Sequence, residues 1–346
     1  MTHRFIARRL VPFHAAFCGI LLATVTATAE EKSVANATDG PVPIALAPEK
    51  PVTKKYDLRY KLKRGDVLRY DVTHRASIRS TIEQETQAAQ TRTDSVKAWK
   101  VTDVLKNGEI EFINVVERVH MVNQLPEKDP VEYDSDRDKT PPPGFEDAAR
   151  AIGVPLSAVR ISSRGKLVRR DVKVKGTNIE DDAPIALRLP EEPAAIGETW
   201  DEPFEVVVVL EGGGTKSIQT RRHHELLNVA NGIATVKVTY QVLSPIDAPI
   251  ECQLVQRLME GEVKFDIKAG RVVGQAMEID KRILGFAGPT SSMQYIMRME
   301  EKLLKKGEKV AAKSSSKSTV TQNGSKSKTK TATRPRTQQG SRTYRR

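Results

Sequence analysis

Leu68-Arg69-Tyr70-Asp71-Val72-Thr73-His74-Arg75-Ala76-Ser77-Ile78-Arg79-Ser80-Thr81-Ile82 decides the fold class. Leu68, Tyr70, Val72, Ala76 and Ile78 share one parity, and Arg69, Asp71, Thr73, Arg75 and Arg79 share the other. Successive side chains of a strand point to opposite faces, so this is the pattern of a strand with one face in a core and one in water. At about 15 residues it is far longer than the usual five or six, so it must twist or bend round that core. Ala234, Val236, Val238, Tyr240 and Val242 alternate with polar residues in the same way, as do Val263, Phe265 and Ile267.

The turns agree with strands. Asn107-Gly108 and Asn231-Gly232 each separate strand-like runs, and Asn-Gly favours two-residue hairpins because both positions accept positive φ. Gly212-Gly213-Gly214 reads as a third hairpin loop, and no Gly-Lys-Ser/Thr follows to make it a phosphate loop. Four landmarks then recur in one order in the two halves. Gly65-Asp66-Val67-Leu68 parallels Gly197-Glu198-Thr199-Trp200, and Leu105 to Ile110 parallels Val229 to Ala234. Short helices behind proline, Phe145 to Ile152 and Ile250 to Met259, parallel each other, as do the glycine hairpins Ile161 to Val168 and Phe265 to Val272. The expectation is a mainly β protein of two related units, residues 57–180 and 190–304. Each is a curved antiparallel sheet with one short helix. The stretch Met293 to Leu304 fits either a strand or a helix.

The ends differ in character from this body. The 346 residues carry 56 Lys and Arg against 44 Asp and Glu. From residue 305 onward there are 13 basic residues and one acid, residues 1–29 add three arginines, and residues 30–304 hold 40 bases and 43 acids. The basicity belongs to the ends, so nucleic-acid binding by the folded part is disfavoured. Residues 1–29 have a basic start, an apolar run from Ala15 to Val25 and the small triplet Ala27-Thr28-Ala29. That is the plan of an export signal, and no later segment is apolar enough to span a bilayer. Residues 30–55, with Pro41, Pro43, Pro48 and Pro51, read as a linker. The tail, residues 305–346, is too polar to offset its ordering entropy and is expected to be disordered. Its cations are Lys305, Lys306, Lys309, Lys313, Lys317, Lys326, Lys328, Lys330, Arg334, Arg336, Arg342, Arg345 and Arg346. They are candidates for salt-sensitive contact with anionic envelope polymer or lipid.

Little in the body announces chemistry. After signal removal Cys252 is the one cysteine, so no internal disulfide is available, and its apolar neighbours suggest a structural thiol. His223 and His224 are adjacent and would face opposite ways on a strand; no Cys/His cluster has zinc spacing. Asp134-Ser135-Asp136-Arg137-Asp138 starts like a calcium loop, which makes Asp134, Asp136 and Asp138 the weak metal candidates. Lys139 stands where such a loop needs glycine, and Phe145 where it needs glutamate. No cofactor is implied.

The Gly-Asp/Glu strand openings, Trp99, Lys139 to Asp147 and Val263 to Val272 together resemble an uncharacterised family of exported bacterial β-rich proteins. That resemblance implies export and a β-rich body and no catalytic residue. In outline, a bent sheet with short helices at its mouth is also similar to the half-barrel lipoprotein carriers. The leading expectation is a non-catalytic exported protein with a binding or structural role. The alternatives are a carrier of an apolar or lipid ligand in the concave sheets and an enzyme of unrecognised type.

Overall fold

A computed structural model describes residues 54–174, 185–210 and 213–308. The signal, most of the linker, residues 175–184, residues 211–212 with the first glycine of the Gly212-Gly213-Gly214 loop, and the tail from Lys309 onward lie outside the described residues. The first half consists of β2 (Val67–Ile82), β3 (Glu85–Val104), β4 (Ile110–Gln124), β5 (Val131–Asp134), α1 (Glu146–Ala151), β6 (Pro155–Ile161) and β7 (Leu167–Val172). The second consists of β9 (Thr199–Val209), β10 (Thr215–Ala230), β11 (Ile233–Val242), α2 (Ala248–Leu254), β12 (Glu260–Asp266), β13 (Arg271–Leu284) and β14 (Ser292–Leu303). Two short lead-in strands, β1 (Lys55–Tyr56) and β8 (Ala194–Ala195), pair with each other, so Lys55 belongs to the body rather than to the linker.

All remaining strands form one antiparallel sheet in the order β7-β6-β4-β3-β2-β14-β13-β12-β11-β10-β9, with β5 added on β4. Each half is a three-strand meander, a helix and a returning hairpin, the order that the repeated landmarks imply. The joint is β14. It pairs with β13 of its own half and with β2 of the other, from Ser292 opposite Thr81 to Leu303 opposite Tyr70. Met293, Tyr295 and Met297 point inward in strict alternation, which resolves the ambiguous last stretch as a strand.

The sheet curls. Phe112 of β4 and Leu226 of β10 lie far apart in the strand order, yet both belong to one buried cluster with Tyr70, Trp99, Ile161, Val236 and Phe265. Trp99 stacks on Phe112 with centroids 4.3 Å apart. The inside of the curl is filled by the chain itself: Leu58, Tyr60 and Leu62 ahead of β2, and Leu187, Leu189 and Ala194 ahead of β9, are all buried there. Each fully buried leucine among them contributes about 1.5–3 kcal/mol.

Both fillers touch glycine hairpins. Lys61 N–H donates to Gly270 O at 3.0 Å, and Leu189 N–H to Arg164 O at 2.8 Å. A Cβ on Gly270 would lie 2.5 Å from the Lys61 nitrogen, and one on Gly165 would lie 2.1 Å from Leu187 O. The two glycines (φ +61° and +77°) thus satisfy both a turn and a close backbone approach.

Several local expectations change. Asn231 and Gly232 (φ 53° and 79°) do make a two-residue hairpin between β10 and β11. Asn107-Gly108 does not: the last pair is Val104 with Ile110, and Asn107 Oδ1 accepts from Glu109 N–H instead. The helices are shorter than the spacing predicts, and α2 is extended by one 3₁₀ turn, Val255–Arg257.

Candidate functional site

The second half has an opening that its topology explains. β12 begins at Glu260, opposite Thr239 on β11 and Glu278 on β13. β11 runs on to Val242 and β13 to Leu284, and among the described residues no strand lies between these extensions. The gap is a half-open groove of about 580 Å³, crossed by α2 and its 3₁₀ turn. Aliphatic side chains, among them Val242, Ile246, Leu258, Met259 and Ile279, line part of it, and Glu251, Glu260, Glu278, Asp280, Lys281 and Arg298 line the rest.

The charges are partly spent on each other. Lys281 Nζ lies 2.8 Å from Glu251 and Arg298 Nε 3.5 Å from Glu278. Asp280 accepts a 3.0 Å hydrogen bond from the Gln294 side chain. Four carboxylates against two cations leave the groove net negative. A ligand with a cationic group on an aliphatic body matches such walls.

α2 is placed by its sequence. Asp247 Oδ1 accepts from Ile250 N–H at 3.0 Å, and Pro249 occupies the first turn, where no amide partner is needed. Ile250 and Leu254 pack on Val206, Val208 and Ile218. Val255 packs on Ile279, Met293 and Met297. Gln253 bonds both N–H and C=O of Val209, at 3.1 and 2.8 Å, and so covers the end of edge strand β9. Cys252 sits half-buried with its Sγ 3.6 Å from Met293 Sδ, and burial pushes its thiol pKa up. This is a packing cysteine.

Tyr240 links the groove to a buried polar cluster. Arg222, 7% exposed, donates from Nε to Tyr240 Oη at 2.7 Å and from Nη1 to Glu202 Oε2 at 2.9 Å. Its guanidinium lies 4.4 Å from the Phe204 ring centre. His224, 2% exposed, stacks on Trp200 at 5.4 Å and donates from Nδ1 to Trp200 O at 3.3 Å in its neutral tautomer. Burial pushes its pKa down to about 4. His223 faces the other way and meets Asp201 at 2.7 Å, so the pair is split as the sequence implies. His74 is half-buried on the inner face, its pKa held low by burial and then by Lys97.

The aspartates of the calcium-like run do not converge. Asp138 accepts from Asp134 N–H at 2.8 Å and from Arg137 at 3.0 Å, and Arg137 holds its carboxyl below the usual range. Asp134 Oδ1 accepts from Asp136 N–H, and Asp136 lies 3.6 Å from Arg118. Among the described residues no group of three His, Cys, Asp or Glu has metal-site geometry. Of the tail cations, Lys305 and Lys306 lie in an exposed turn closed by Glu308, and the rest lie outside the described residues. Among the described residues no helix is long and apolar enough to cross a membrane.

No family model matches the chain, and no curated protein matches it. Among solved structures, it is weakly similar to one of lipid–protein interactions in lipovitellin: 13% identity, TM-score 0.39, covering 73% of this chain and 26% of that one. The chain thus spans about a quarter of that protein's length. The complex of Pseudomonas aeruginosa MucA/MucB gives 6% identity and a TM-score of 0.09 over 67% of this chain and 89% of that one.

Proposed function

We propose that the chain is an exported, non-catalytic binding protein. Its folded body takes a ligand in the groove between β11 and β13, and its basic tail makes salt-sensitive contacts with anionic polymer or lipid of the envelope. The observation that carries this is the groove itself, an aliphatic surface walled by an excess of carboxylate at a gap in the sheet, while the inside of the curl is filled by Leu58–Leu62 and Leu187–Ala195. The buried His224 and Arg222 are engaged by Trp200, Glu202 and Tyr240, which suits a supporting role better than proton transfer. The test is titration with hexylammonium and, separately, hexanoate, followed through the methionine methyl resonances. The Met259 methyl shifts with the amine only, and Glu260→Gln with Asp280→Asn removes the response. An unmoved Met259 would sink the groove assignment.

One observation favours a second reading, a carrier of an apolar or lipid ligand. The aliphatic lining at Ile279 is continuous with the cluster of Val255, Ile283, Met293, Tyr295 and Met297 beneath α2. Outward movement of α2 would expose it. Native mass spectrometry of protein purified from its own host decides: co-purifying lipid supports the carrier, and a bare mass removes it.

A further inference from the structure

The outer face of the sheet carries a row of like charge. Arg92 of β3 stands directly opposite Arg75 of β2, and Arg75 directly opposite Arg298 of β14. Side chains so placed are about 5 Å apart at Cβ, and like charges there are destabilising. The outer two arginines have partial relief, Arg92 from Asp94 at 2.8 Å and Arg298 from Glu278 at 3.5 Å. Arg75, exposed between them, has no carboxylate at ion-pair distance among the described residues. Toward the loops the next row is neutral, with Ser77 flanked by Gln90 and Ile296, and the row beyond brings exposed Arg79 on the same face, flanked by Ala88 and Gln294. The positive surface ends at β13, where Glu278 faces Arg298, and at the row on the side away from the loops, where Thr73 stands between Asp94 and Glu300.

We infer that Arg75, with Arg92, Arg298 and Arg79 around it, forms a binding site for phosphate. Neighbouring strands about 4.8 Å apart present guanidinium forks side by side. Each fork gives paired N–H donors to a planar edge of oxygens. A carboxylate has two oxygens and one charge. A phosphate, with three free oxygens and up to two charges, answers several forks at once and cancels the repulsion that the row otherwise carries. A soluble chain and a lipid headgroup both carry such a phosphate, and the chemistry of the site is the same for both.

The experiment uses the full chain, so the basic tail contributes equally to every variant. Tripolyphosphate binding is measured by calorimetry, and binding to vesicles of phosphatidic acid in phosphatidylcholine by co-sedimentation, for wild type, Arg75→Gln and the control Lys302→Gln. Lys302 is an exposed cation on β14 that faces Asp71 instead of another cation. Arg75→Gln weakens binding at least tenfold in one arm or both, and Lys302→Gln weakens it less than twofold. Loss in the calorimetric arm alone identifies a soluble phosphate, and loss in the vesicle arm alone a headgroup. Without ligand, Arg75→Gln melts at a higher temperature than wild type, and tripolyphosphate narrows that gap by raising wild type more. Equal binding by wild type and Arg75→Gln in both arms overturns the site, as does an equal loss with Lys302→Gln.

Discussion

The two halves repeat one plan and differ where the plan leaves a space. In the first, β6 pairs with β4 only as far as Val115, and β5 takes the far part of β4, its Val131–Asp134 lying opposite Asn123–His120. Tyr133 of β5 and Phe145 then pack with Val119 beneath α1. In the second, β12 leaves the end of β11 free in the same way, but among the described residues no counterpart of β5 follows, and the groove stands in its place. The segment that carries β5 in the first half is therefore a plug. A repeat that duplicates a fold can acquire a site in one copy simply by lacking a strand that the other has.

The comparison breaks if the halves fold independently. Phe112 and Phe265 are each buried to 1% exposure or less in the shared cluster. Phe112→Ala and Phe265→Ala should each cost about 3–5 kcal/mol, and calorimetry should show one transition that moves down in both. Two transitions, of which each variant moves one, would show separate domains. Tyr133→Ala should cost about 3 kcal/mol and uncover the end of β4, turning the first half into a likeness of the second. Limited proteolysis should then cut between Leu125 and Asp138 well before the rest of the body.

Acid should act on the second half through His224. Its pKa of about 4 in the folded state lies below the usual value near 6.5, so the unfolded chain binds the proton more tightly. Its contribution is complete above pH ~6.5 and is lost as pH falls toward 4, to the extent of about 3 kcal/mol. His74, also held low, acts in the same direction. Melting temperatures from pH 7 to 4 should fall less steeply in His224→Gln than in wild type. The smallest effect is at the helices. α2 has a side-chain cap at Asp247 and α1 has none at Phe145. Asp247→Ala should cost about 1 kcal/mol in chemical denaturation and shift the Met259 methyl beside the groove.

Alternation made β2, β11 and the inner face of β12 legible, because half their residues are apolar. It did not reveal β3 as a 20-residue strand, since Gln87, Gln90, Thr91 and Thr93 occupy both faces of its first half. Leu58, Tyr60 and Leu62 do alternate, yet nothing in their spacing says that they fill the curl instead of joining the sheet. The polar cluster was hidden by a bulge. Counting back from the Asn231-Gly232 turn puts Arg222 opposite Gln241, and the register shift between Leu226 and Asn228 moves it opposite Tyr240, onto the inner face. The groove could not be read at all, because it is defined by where β12 starts.

The β14 joint has a temporal consequence. Tyr70 reaches across to Val272 O, 202 residues later, and β2 lacks one neighbour until β14 exists. Contacts that close so late in the chain are slow to form. A ribosome must therefore release nearly the whole body before the sheet can be completed, and until then the growing polypeptide has one long strand edge exposed. That polypeptide needs protection from its own unpaired edge while it waits.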